Sequence, residues 1–462
     1  MELVDRGEEL ARLHEAADDA PQLVVMRGRR RVGKSFLVTR AFADRRALYF
    51  QADEQDESGQ LAALAREASD LIPGRPPLRF DDWDVALTFI EEQALVAPLV
   101  VVLDEFQWLW EARPALDSMI QRRWDRWQRD RVPVTLVLLG SSLIHMGRLM
   151  EVGRPLFGRA DYRPLVAPLD YRWAARFAPA GASAEELLRR YAVLGGTPQY
   201  QVWAGRGSVF GLIARRILTK GEALYEEPLQ LLREDRSVRA VGSYFDILRV
   251  IAAGTSRFNE IAQAAGLTGP VMTPLLGRLI ELGYVELRHP LDPTRETRRR
   301  GVYRIADPFF RFWFRYVFPN RSRLELGRVA EVSDLIRGDL DNHMGPVFED
   351  ICREWVGRYS GDLAAGGEVG AWWDRRGVTE IDVVVTRGGR YTLLGSCKWT
   401  RRAGPDVLGA LRRDAEALGP AAAGARLVVF ARGFDRRLVE RADREGVCLV
   451  GAEELLTGGG GA

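Results

Sequence analysis

The sequence predicts an α/β protein in which a parallel sheet near the N-terminus precedes a helical middle and a second, smaller sheet. Three observations support this fold class. The strand pattern LVVM runs into the glycine-rich loop GRRRVGKS and an apolar helix start. Two later runs, LVVVL and VTLVLL, have the near-continuous hydrophobicity of strands buried on both faces of a parallel sheet. Short strand patterns return after residue 368. We expect four regions, 1–170, 171–236, 237–322 and 323–462.

Composition and charge exclude several classes of protein. The chain of 462 residues has room for roughly three domains with cores of their own. Its 66 basic and 64 acidic side chains leave a formal net charge of +2, so nucleic acid could be bound only through a local patch. Three scattered cysteines fit a reducing compartment. The first residues lack the apolar core of a signal peptide, and no run approaches the roughly 18 apolar residues of a membrane span. We expect a cytoplasmic protein without membrane contact.

The glycine-rich loop has the residue types and the spacing that bind the phosphates of ATP. Gly28 and Gly33 permit backbone angles at which successive N–H groups turn onto phosphate oxygens, and the N-terminus of the next helix favours the same anion. Lys34 would place its charge on the β- and γ-phosphates, and Ser35 would offer a hydroxyl to Mg²⁺. The predicted nucleotide-binding residues of this loop are Gly28, Arg29, Arg30, Arg31, Val32, Gly33, Lys34, Ser35 and Phe36.

Two carboxylates follow the apolar strand LVVVL, at the end of the strand where ligands bind in open α/β sheets. Asp104 would hold Mg²⁺, directly or through water. Glu105 would orient the attacking water and take its proton. Together with the upstream loop, this pair predicts the catalytic centre of a nucleotide hydrolase.

Small polar and basic residues near the next strand end are further candidates. Ser141 is our choice, with Ser142 as the alternative, for a hydrogen bond to the γ-phosphate or to the attacking water. Arg159 could complete the site as an arginine finger, in cis or in a neighbouring subunit, or could be a solvated surface residue.

The segment Leu3–Leu13, before the first strand, has helical spacing. Arg6 and Glu9 lie in it and could wall the pocket for the adenine base, as such segments do in many P-loop ATPases. The alternative is a helix that only covers the sheet.

The motifs GRRRVGKS, LVVVLDEFQ, LLGSS and PLFGR, in this order, resemble the archaeal-type ATPase family, an AAA+/STAND-related P-loop group of archaea and bacteria. The resemblance implies an AAA+-like core with a helical lid, and for Ser141 the role called sensor 1. The family's Gly-Gly-x-Pro motif is matched by GGTP and implies that Pro198 lies near the base. The residues themselves predict only a turn between two helices.

The middle of the chain has the pattern of a winged helix-turn-helix. Helical patterns cover 243–253, 257–265 and 270–282, and strand patterns at 284–288 and 302–305 flank a basic loop. In a DNA-binding domain of this kind the third helix enters the major groove, and here its only basic residue is Arg278. The wing would lie along phosphates with Arg295, Arg298, Arg299 and Arg300. The alternative is a lid or docking module without DNA contact.

The segment DPFFRFWFRYVFPN, residues 307–320, is dense in aromatic side chains and predicts a core helix that joins two domains. With its flanks it resembles the start of the uncharacterised domain that commonly follows the archaeal-type ATPase domain. That similarity extends the family resemblance over nearly the whole chain.

The C-terminal region has the element order of restriction-endonuclease-like folds: a helix over 347–356, strands at 368–373, 380–385 and 391–399, a helix, and a strand at 426–430. Such sites need two acids, which hold metal, and a lysine. Asp382 fits the first acid, Lys398 the lysine and Glu349, early in its helix, a supporting acid. Relatives of this domain typically have Glu where this chain has Ser396, and a hydroxyl is a poorer ligand for a hard cation. Glu380 could replace the missing acid.

We therefore expect a P-loop ATPase that uses ATP and Mg²⁺, acts as a molecular switch and binds DNA through the winged helix and the C-terminal domain. Two alternatives stay open: an ATP-gated, metal-dependent DNA nuclease, and an ATP-binding scaffold that docks a protein partner. The oligomeric state is open as well, because Arg159 could act in cis or in trans.

Overall fold

The computed structural model describes residues 3–74, 76–234, 241–293 and 300–457. The chain divides into two compact units, Met1–Leu169 with Glu281–Gly283, and Asp170–Ile280 with Tyr284–Ala462. Each unit has buried hydrophobic clusters of its own. In the part of the chain that the structure describes, no helix combines the length and the apolar character needed to cross a bilayer.

The first unit is built on a parallel sheet. Its strands are β1 (Gln22–Arg27), β2 (Ala47–Gln51), β3 (Leu99–Asp104) and β4 (Val134–Gly140), in the order β1-β4-β3-β2. As the apolar runs predicted, β3 and β4 are buried along their whole length. Residues 162–165 extend the sheet beyond β1, where the amide of Val25 donates to Tyr162 O at 2.9 Å. Because the strands are parallel, the residues that follow β1, β3 and β4 meet at one edge.

Helices cover both faces of this sheet. They correct one expectation and include a helix that was not predicted. The predicted helix at Leu3–Leu13 is wrong at its start, because Asp5 and Arg6 have φ angles of 58° and 80°, outside the helical region. A charge-rich helix that buries Trp124 and Trp127 was not predicted. The helices are α1 (Gly7–Asp18), α2 (Lys34–Ala41), α3 (Glu57–Ser69), α4 (Trp83–Val96), α5 (Phe106–Ala112), α6 (Leu116–Asp130) and α7 (Leu143–Arg148).

The second unit begins with a group of helices. Between the second and third of them, Gly195 adopts a φ of 65° and Thr197 caps the next helix, so the predicted turn between two helices at the GGTP motif is confirmed. A π-helical turn, Ile213–Ile217, precedes the last helix of the group. The helices are α8 (Tyr171–Ala175), α9 (Ala184–Leu194), α10 (Pro198–Ala204), α11 (Val209–Leu212) and α12 (Ala223–Glu234).

The predicted winged helix-turn-helix is confirmed. It consists of α13 (Val241–Ala252), α14 (Phe258–Ala264), α15 (Gly269–Glu281) and the antiparallel strands β5 (Val285–Arg288) and β6 (Val302–Ile305). Arg295, Arg298 and Arg299 of the predicted wing lie outside the described residues.

The aromatic segment forms α16 (Pro308–Phe312), a π-helical turn over 313–317 and a 3₁₀ turn over 318–320, rather than one regular helix. Two helices follow, α17 (Arg321–Glu325) and α18 (Val329–Arg358). The 30-residue α18 corrects the expected helix over 347–356: Glu349 lies deep within α18 and not early in it. Val332, Ile336 and Leu340, which are buried at helical spacing in the first half of α18, are the signal that would have indicated the earlier start.

The C-terminal sheet consists of β7 (Glu368–Trp373), β8 (Glu380–Arg387), β9 (Arg390–Lys398), β10 (Arg426–Ala431) and β11 (Cys448–Val450). They lie in the order β11-β10-β9-β8-β7, antiparallel from β7 to β9 and parallel from β9 to β11. The accompanying helices are α19 (Pro405–Glu416), α20 (Arg436–Glu445) and α21 (Ala452–Thr457). Of these three, only α19 was predicted. The pairing of β8 with β9 brings their predicted functional residues side by side.

Candidate nucleotide site and candidate metal centre

The glycine-rich loop between β1 and α2 has the backbone that its glycines predict. Gly33 caps α2 with a φ of 92°, a left-handed conformation that costs a side chain energy. A Cβ atom on Gly28 would lie 2.6 Å from the carbonyl oxygen of Val166, so only glycine fits there. Val32 is buried and anchors the loop to the core. The loop is therefore a preformed cradle for an anion at the N-terminus of α2.

Lys34 points into this loop. Its Nζ donates to Gly28 O at 2.8 Å and to Arg29 O at 3.0 Å, and the side chain is buried. Burial lowers the pKa of Lys34, while Glu105 and Asp104 act in the opposite direction. A buried ammonium whose hydrogen bonds go to carbonyl oxygens gains further charge compensation from a phosphate.

The carboxylate of Asp104 accepts three hydrogen bonds. Its Oδ2 accepts from Ser35 Oγ at 2.6 Å and from the hydroxyl of Tyr49, and its Oδ1 accepts from the amide of Glu105 at 2.8 Å. Ser35 and Asp104, both predicted Mg²⁺ ligands, are thus in contact, and their oxygens suit a hard cation. Tyr49 was not predicted; burial, followed by the Asp104 contact, raises its pKa. Its position on β2, the strand paired with β3, is the signal that would have identified it.

Glu105 sits in a strained backbone position directly after β3. Its φ of 53° is rare for a residue other than glycine, and such strain concentrates at functional sites. The carboxylate accepts from Ser141 Oγ at 2.6 Å, from the Ser141 amide at 3.2 Å and from Gln107 Nε2. Ser142, the alternative to Ser141, instead caps α7 and bonds His145 Nδ1 at 2.8 Å. The structure therefore brings Ser141, and not Ser142, to the predicted catalytic base.

The other predicted nucleotide-site residues make contacts elsewhere. Arg159 pairs with Asp125 at 2.7 Å and with Pro155 O at 2.8 Å. Arg6 pairs with Glu9 at 3.3 Å and donates to a backbone carbonyl at residue 167. Their roles toward the nucleotide stay predictions. The same holds for Pro198, which begins α10 in the second unit, and for Phe36 and the loop arginines Arg29, Arg30 and Arg31.

A second cluster of charged residues lies on the C-terminal sheet. Glu349 of α18 and Glu380 and Asp382 of β8 place carboxylate oxygens within 4.8 Å of one another. Glu380 and Asp382 share a face of β8 because they are two residues apart. Lys398, at the end of β9, lies 4.0 Å from Asp382. The structure thus groups the predicted Glu349, Asp382 and Lys398 with Glu380, the residue named above as a replacement for the missing acid.

Ser396 lies beside this cluster, where its hydroxyl contacts Asp382 and does not supply a carboxylate. Its hydroxyl is 3.4 Å from Asp382 Oδ2, which also accepts from the Cys397 amide at 2.6 Å. Both contacts use oxygen lone pairs of Asp382 and add no negative charge. Glu380 is therefore the carboxylate that could replace the acid absent at position 396.

Arginines partly compensate the acidic cluster. Arg304, on β6 of the winged helix, lies 3.5 Å from Glu349 and 3.9 Å from Glu380, and Arg353 lies 3.8 Å from Glu349. Even so, burial first and mutual repulsion second raise the pKa of Glu349. Burial likewise raises the pKa of Asp382. The Glu349 oxygen that faces these arginines accepts no hydrogen bond in the described structure. Three carboxylates, one of them with such an oxygen, form a donor set that suits a divalent cation.

The described residue of the predicted wing, Arg300, makes contacts within the protein. It pairs with Asp292 at 3.0 Å and donates to Trp373 O at 3.3 Å. Arg300 therefore holds the hairpin to the C-terminal sheet.

Comparisons with known families match three separate parts of the chain. A family described as an AAA domain matches residues 20–172, and one described as an IclR helix-turn-helix domain matches residues 244–289. A family described as archaeal and bacterial proteins of unknown function matches residues 313–409. An uncharacterized protein of Methanocaldococcus jannaschii is 29% identical over 402 residues, which cover 86% of this chain and 87% of that protein.

Solved structures with a similar chain include two archaeal proteins. The Walker-type ATPase paby2304 of Pyrococcus abyssi has 20% identity and a TM-score of 0.48, over 68% of this chain and 96% of that one. The ORC2 protein of Aeropyrum pernix, solved with ADPNP and ADP, has 15% identity and a TM-score of 0.44, over 73% and 96%. The family matches, and not these distant overall similarities, indicate the domain content. Successive parts of the chain match an AAA domain, a helix-turn-helix domain and a C-terminal domain of unknown function.

Proposed function

We propose that the protein is an ATP-driven switch that hydrolyses ATP with Mg²⁺ and couples hydrolysis to DNA binding. The observation that carries the ATPase part is the pair of contacts beside the glycine-rich loop, Ser35 with Asp104 and Glu105 with Ser141. Ser35 lies in the first turn of α2, Asp104 ends β3 and Glu105 follows it, and this arrangement beside the glycine-rich loop supports the proposal.

Each side chain then has a defined task. Lys34 neutralises the β- and γ-phosphates, and Ser35 and Asp104 hold the cation, which supplies further charge compensation when bound. Glu105 takes the proton of the attacking water. Ser141 and Gln107 fix the orientation of the Glu105 carboxylate, and Tyr49 fixes that of Asp104.

The test of the ATPase part compares two variants with the wild-type chain. Glu105→Gln is expected to bind ATP normally and to lose hydrolysis by about 100-fold or more. Lys34→Ala is expected to lose ATP binding. Arg40→Ala, on the exposed face of the same helix, is the control. Tight ATP binding by Lys34→Ala would contradict the assignment.

DNA coupling is tested by ATP hydrolysis with and without double-stranded DNA, with the DNA followed on a gel. A faster rate with intact DNA supports the switch. The helix-turn-helix fold supports DNA binding, while Arg278, the only basic residue in the third helix, makes base-specific contacts few. No response to DNA would favour a scaffold that docks a protein partner.

A second candidate function is metal-dependent cleavage of a DNA phosphodiester, and one observation favours it. Glu380 lies with Glu349 and Asp382, so a third carboxylate is present although the chain has Ser396. The order of α18, β7, β8, β9, α19 and β10 supports a restriction-endonuclease-like fold for this domain. Lys398 would stabilise charge that develops on the phosphate.

Metal binding and cleavage are measured separately for this candidate. Calorimetric titration with Mn²⁺ is expected to show binding to the wild-type chain and about tenfold weaker binding to Glu380→Gln. Cleavage should be lost in Asp382→Ala. Glu368→Gln, on the exposed start of β7, is the control. Mn²⁺ binding that is seen only in Ser396→Glu would mean that the wild-type site has lost its ability to bind metal.

A further inference from the structure

A cavity of about 300 Å³ lies in the second unit between the winged helix and the C-terminal sheet. Its walls come from the α13–α14 turn, β6, α16 and the turn between β7 and β8. Arg257, Arg304, Arg311 and Arg376 line it, and Glu380 is the carboxylate among the lining residues. The charge of the wall is therefore strongly positive, in contrast to the acidic cluster beside it.

Arg311 is the most unusual of these arginines. In the described part of the chain its guanidinium has no hydrogen bond or ion pair, although burial lowers its pKa to about 10. Arg304 differs, because its buried Nη1 makes no hydrogen bond among the described residues but lies 3.5 Å from the Glu349 carboxylate as an ion pair. A guanidinium has five N–H donors, and leaving a buried one unpaired costs free energy. The unpaired guanidinium of Arg311 lies at the wall of a cavity that is large enough for a ligand.

We propose that this cavity binds a phosphate monoester. A phosphate dianion offers several acceptor oxygens to Arg311 and Arg304, and arginine forks match its geometry with two parallel hydrogen bonds. The volume is at the lower end of ligand pockets, which suits a ligand of mononucleotide size. Trp373 and Tyr303 add flat surfaces to the wall. The phosphate comes from a free nucleoside monophosphate or from the 5′ end of a nucleic-acid strand.

This site is independent of the proposed ATPase, so the test removes the other phosphate site. We would titrate the full-length Lys34→Ala chain by calorimetry, with a chelator present, with AMP, adenosine, and a deoxytrinucleotide carrying either a 5′-phosphate or a 5′-hydroxyl. The phosphate is expected to tighten binding by at least about tenfold. Binding of AMP identifies a free nucleotide as the ligand, and binding only of the phosphorylated trinucleotide identifies a strand end. Equal binding with and without the phosphate overturns the proposal.

Arg311→Met provides the second test. It should weaken binding of the phosphorylated probe by about tenfold or more and leave the melting temperature equal or higher, because an unpaired buried charge is removed. A structural arginine would instead lower the melting temperature when replaced. Arg436→Met, on the exposed face of α20, is the matched control. Unchanged affinity in Arg311→Met overturns the proposal. If Arg311→Met does not fold, Arg376→Gln, at the exposed edge of the cavity, is tested instead. Unchanged affinity of Arg376→Gln for the phosphorylated probe also overturns the proposal.

Discussion

The hydrogen bond between Ser141 and Glu105 shows how neighbouring strands set the geometry of one side chain. Glu105 leaves β3 with a left-handed backbone, and Ser141 follows β4, the adjacent strand. The serine hydroxyl and amide then hold the carboxylate in one orientation. Ser142, one residue later, is the N-cap residue of α7, and its hydroxyl accepts a hydrogen bond from the amide of His145. Two serines with the same chemistry therefore have different roles.

These two serines give a matched pair of variants. Ser141→Ala is expected to lower kcat for ATP hydrolysis by roughly 10- to 100-fold with little change in KM, because a misplaced base slows proton transfer without affecting phosphate binding. Ser142→Ala should cost about 1 kcal/mol of stability through the lost cap, with kcat nearly unchanged. Steady-state kinetics and thermal unfolding separate the two effects. Equal losses of kcat in both variants would refute the positioning role of Ser141.

Glu354 of α18 is a partly buried carboxylate outside both candidate sites. Burial first, and then the nearby Asp170, raise its pKa to about 7, although Arg358 lies 3.4 Å away. A raised folded-state pKa means that the native chain binds more protons than the unfolded chain. The contribution of Glu354 to stability therefore falls as the pH rises from about 4.5 to about 7.

Glu354→Gln should remove this pH dependence. At pH 8 the variant is expected to be more stable than the wild type by about 1 to 3 kcal/mol, after allowance for the quarter of the side chain that is exposed. At pH 4.5 the two should be nearly equal. Thermal unfolding at both pH values measures the difference. Glu331→Gln, an exposed position on the same helix, should behave alike at both values, and a gain that is independent of pH would contradict the argument.

Among the elements, the aromatic segment around α16 does the most to join the parts of the second unit. Phe309 contacts Tyr200 of α10 at 4.8 Å between ring centroids, and Phe310 stacks on Tyr284 of the winged helix at 4.6 Å. Phe312 contacts His343 of α18 at 5.6 Å. Successive side chains of this segment thus pack against three different parts of the second unit, so the segment lies in the core and joins these parts as predicted, although it is not one regular helix.

Phe310→Ala is expected to destabilise the second unit by about 3 to 5 kcal/mol, because a fully buried ring leaves a cavity that its neighbours cannot fill. The measurement is chemical or thermal unfolding followed by tryptophan fluorescence. Leu326→Ala, an exposed position shortly after the same segment, should cost well under 1 kcal/mol. A small loss in Phe310→Ala would mean that the ring does not join the two parts.

For the chain as an assembly of domains, the most informative contact is that of Arg304 with the acidic cluster. The arginine comes from the winged helix, and Glu349 and Glu380 come from the C-terminal domain. An arginine in this position competes with a metal ion for the same carboxylates. A movement of β6 would therefore change the affinity of the cluster for metal.

Arg304→Ala is expected to tighten binding of Mn²⁺ to the full-length chain by about tenfold, because the carboxylates lose a competing cation. Calorimetric titration without nucleotide measures the change. Arg249→Ala, an exposed position on α13 of the same domain, is the control. Weaker Mn²⁺ binding in Arg304→Ala would show that the arginine supports the site and does not compete with it.

Much of this architecture could be predicted from local patterns. The strands of the first sheet, the winged helix and the strands of the C-terminal sheet follow from runs of apolar residues and from periodicity within one segment. The charge-rich α6 and the early start of α18 were missed although both carry buried apolar residues at helical spacing, such as Ile120, Trp124 and Trp127 in α6 and Val332, Ile336 and Leu340 in α18. The start of α1 was missed because Asp5 and Arg6 adopt backbone angles that no local pattern reveals.

The sequence by itself determined the nucleotide-binding loop and the acidic pair after β3, because the chemistry of each depends on adjacent residues. Only the tertiary structure decided that Ser141 contacts Glu105, that Tyr49 contacts Asp104, and that Glu380 joins Glu349 and Asp382. Ser141 and Glu105 are 36 positions apart, and Tyr49 and Asp104 are 55 positions apart. Glu349 lies on a different element from Glu380 and Asp382, so the pairing of strands and the packing of α18 bring these groups together. The arginine-lined cavity has the same origin, since its walls come from two domains that meet only in the folded chain.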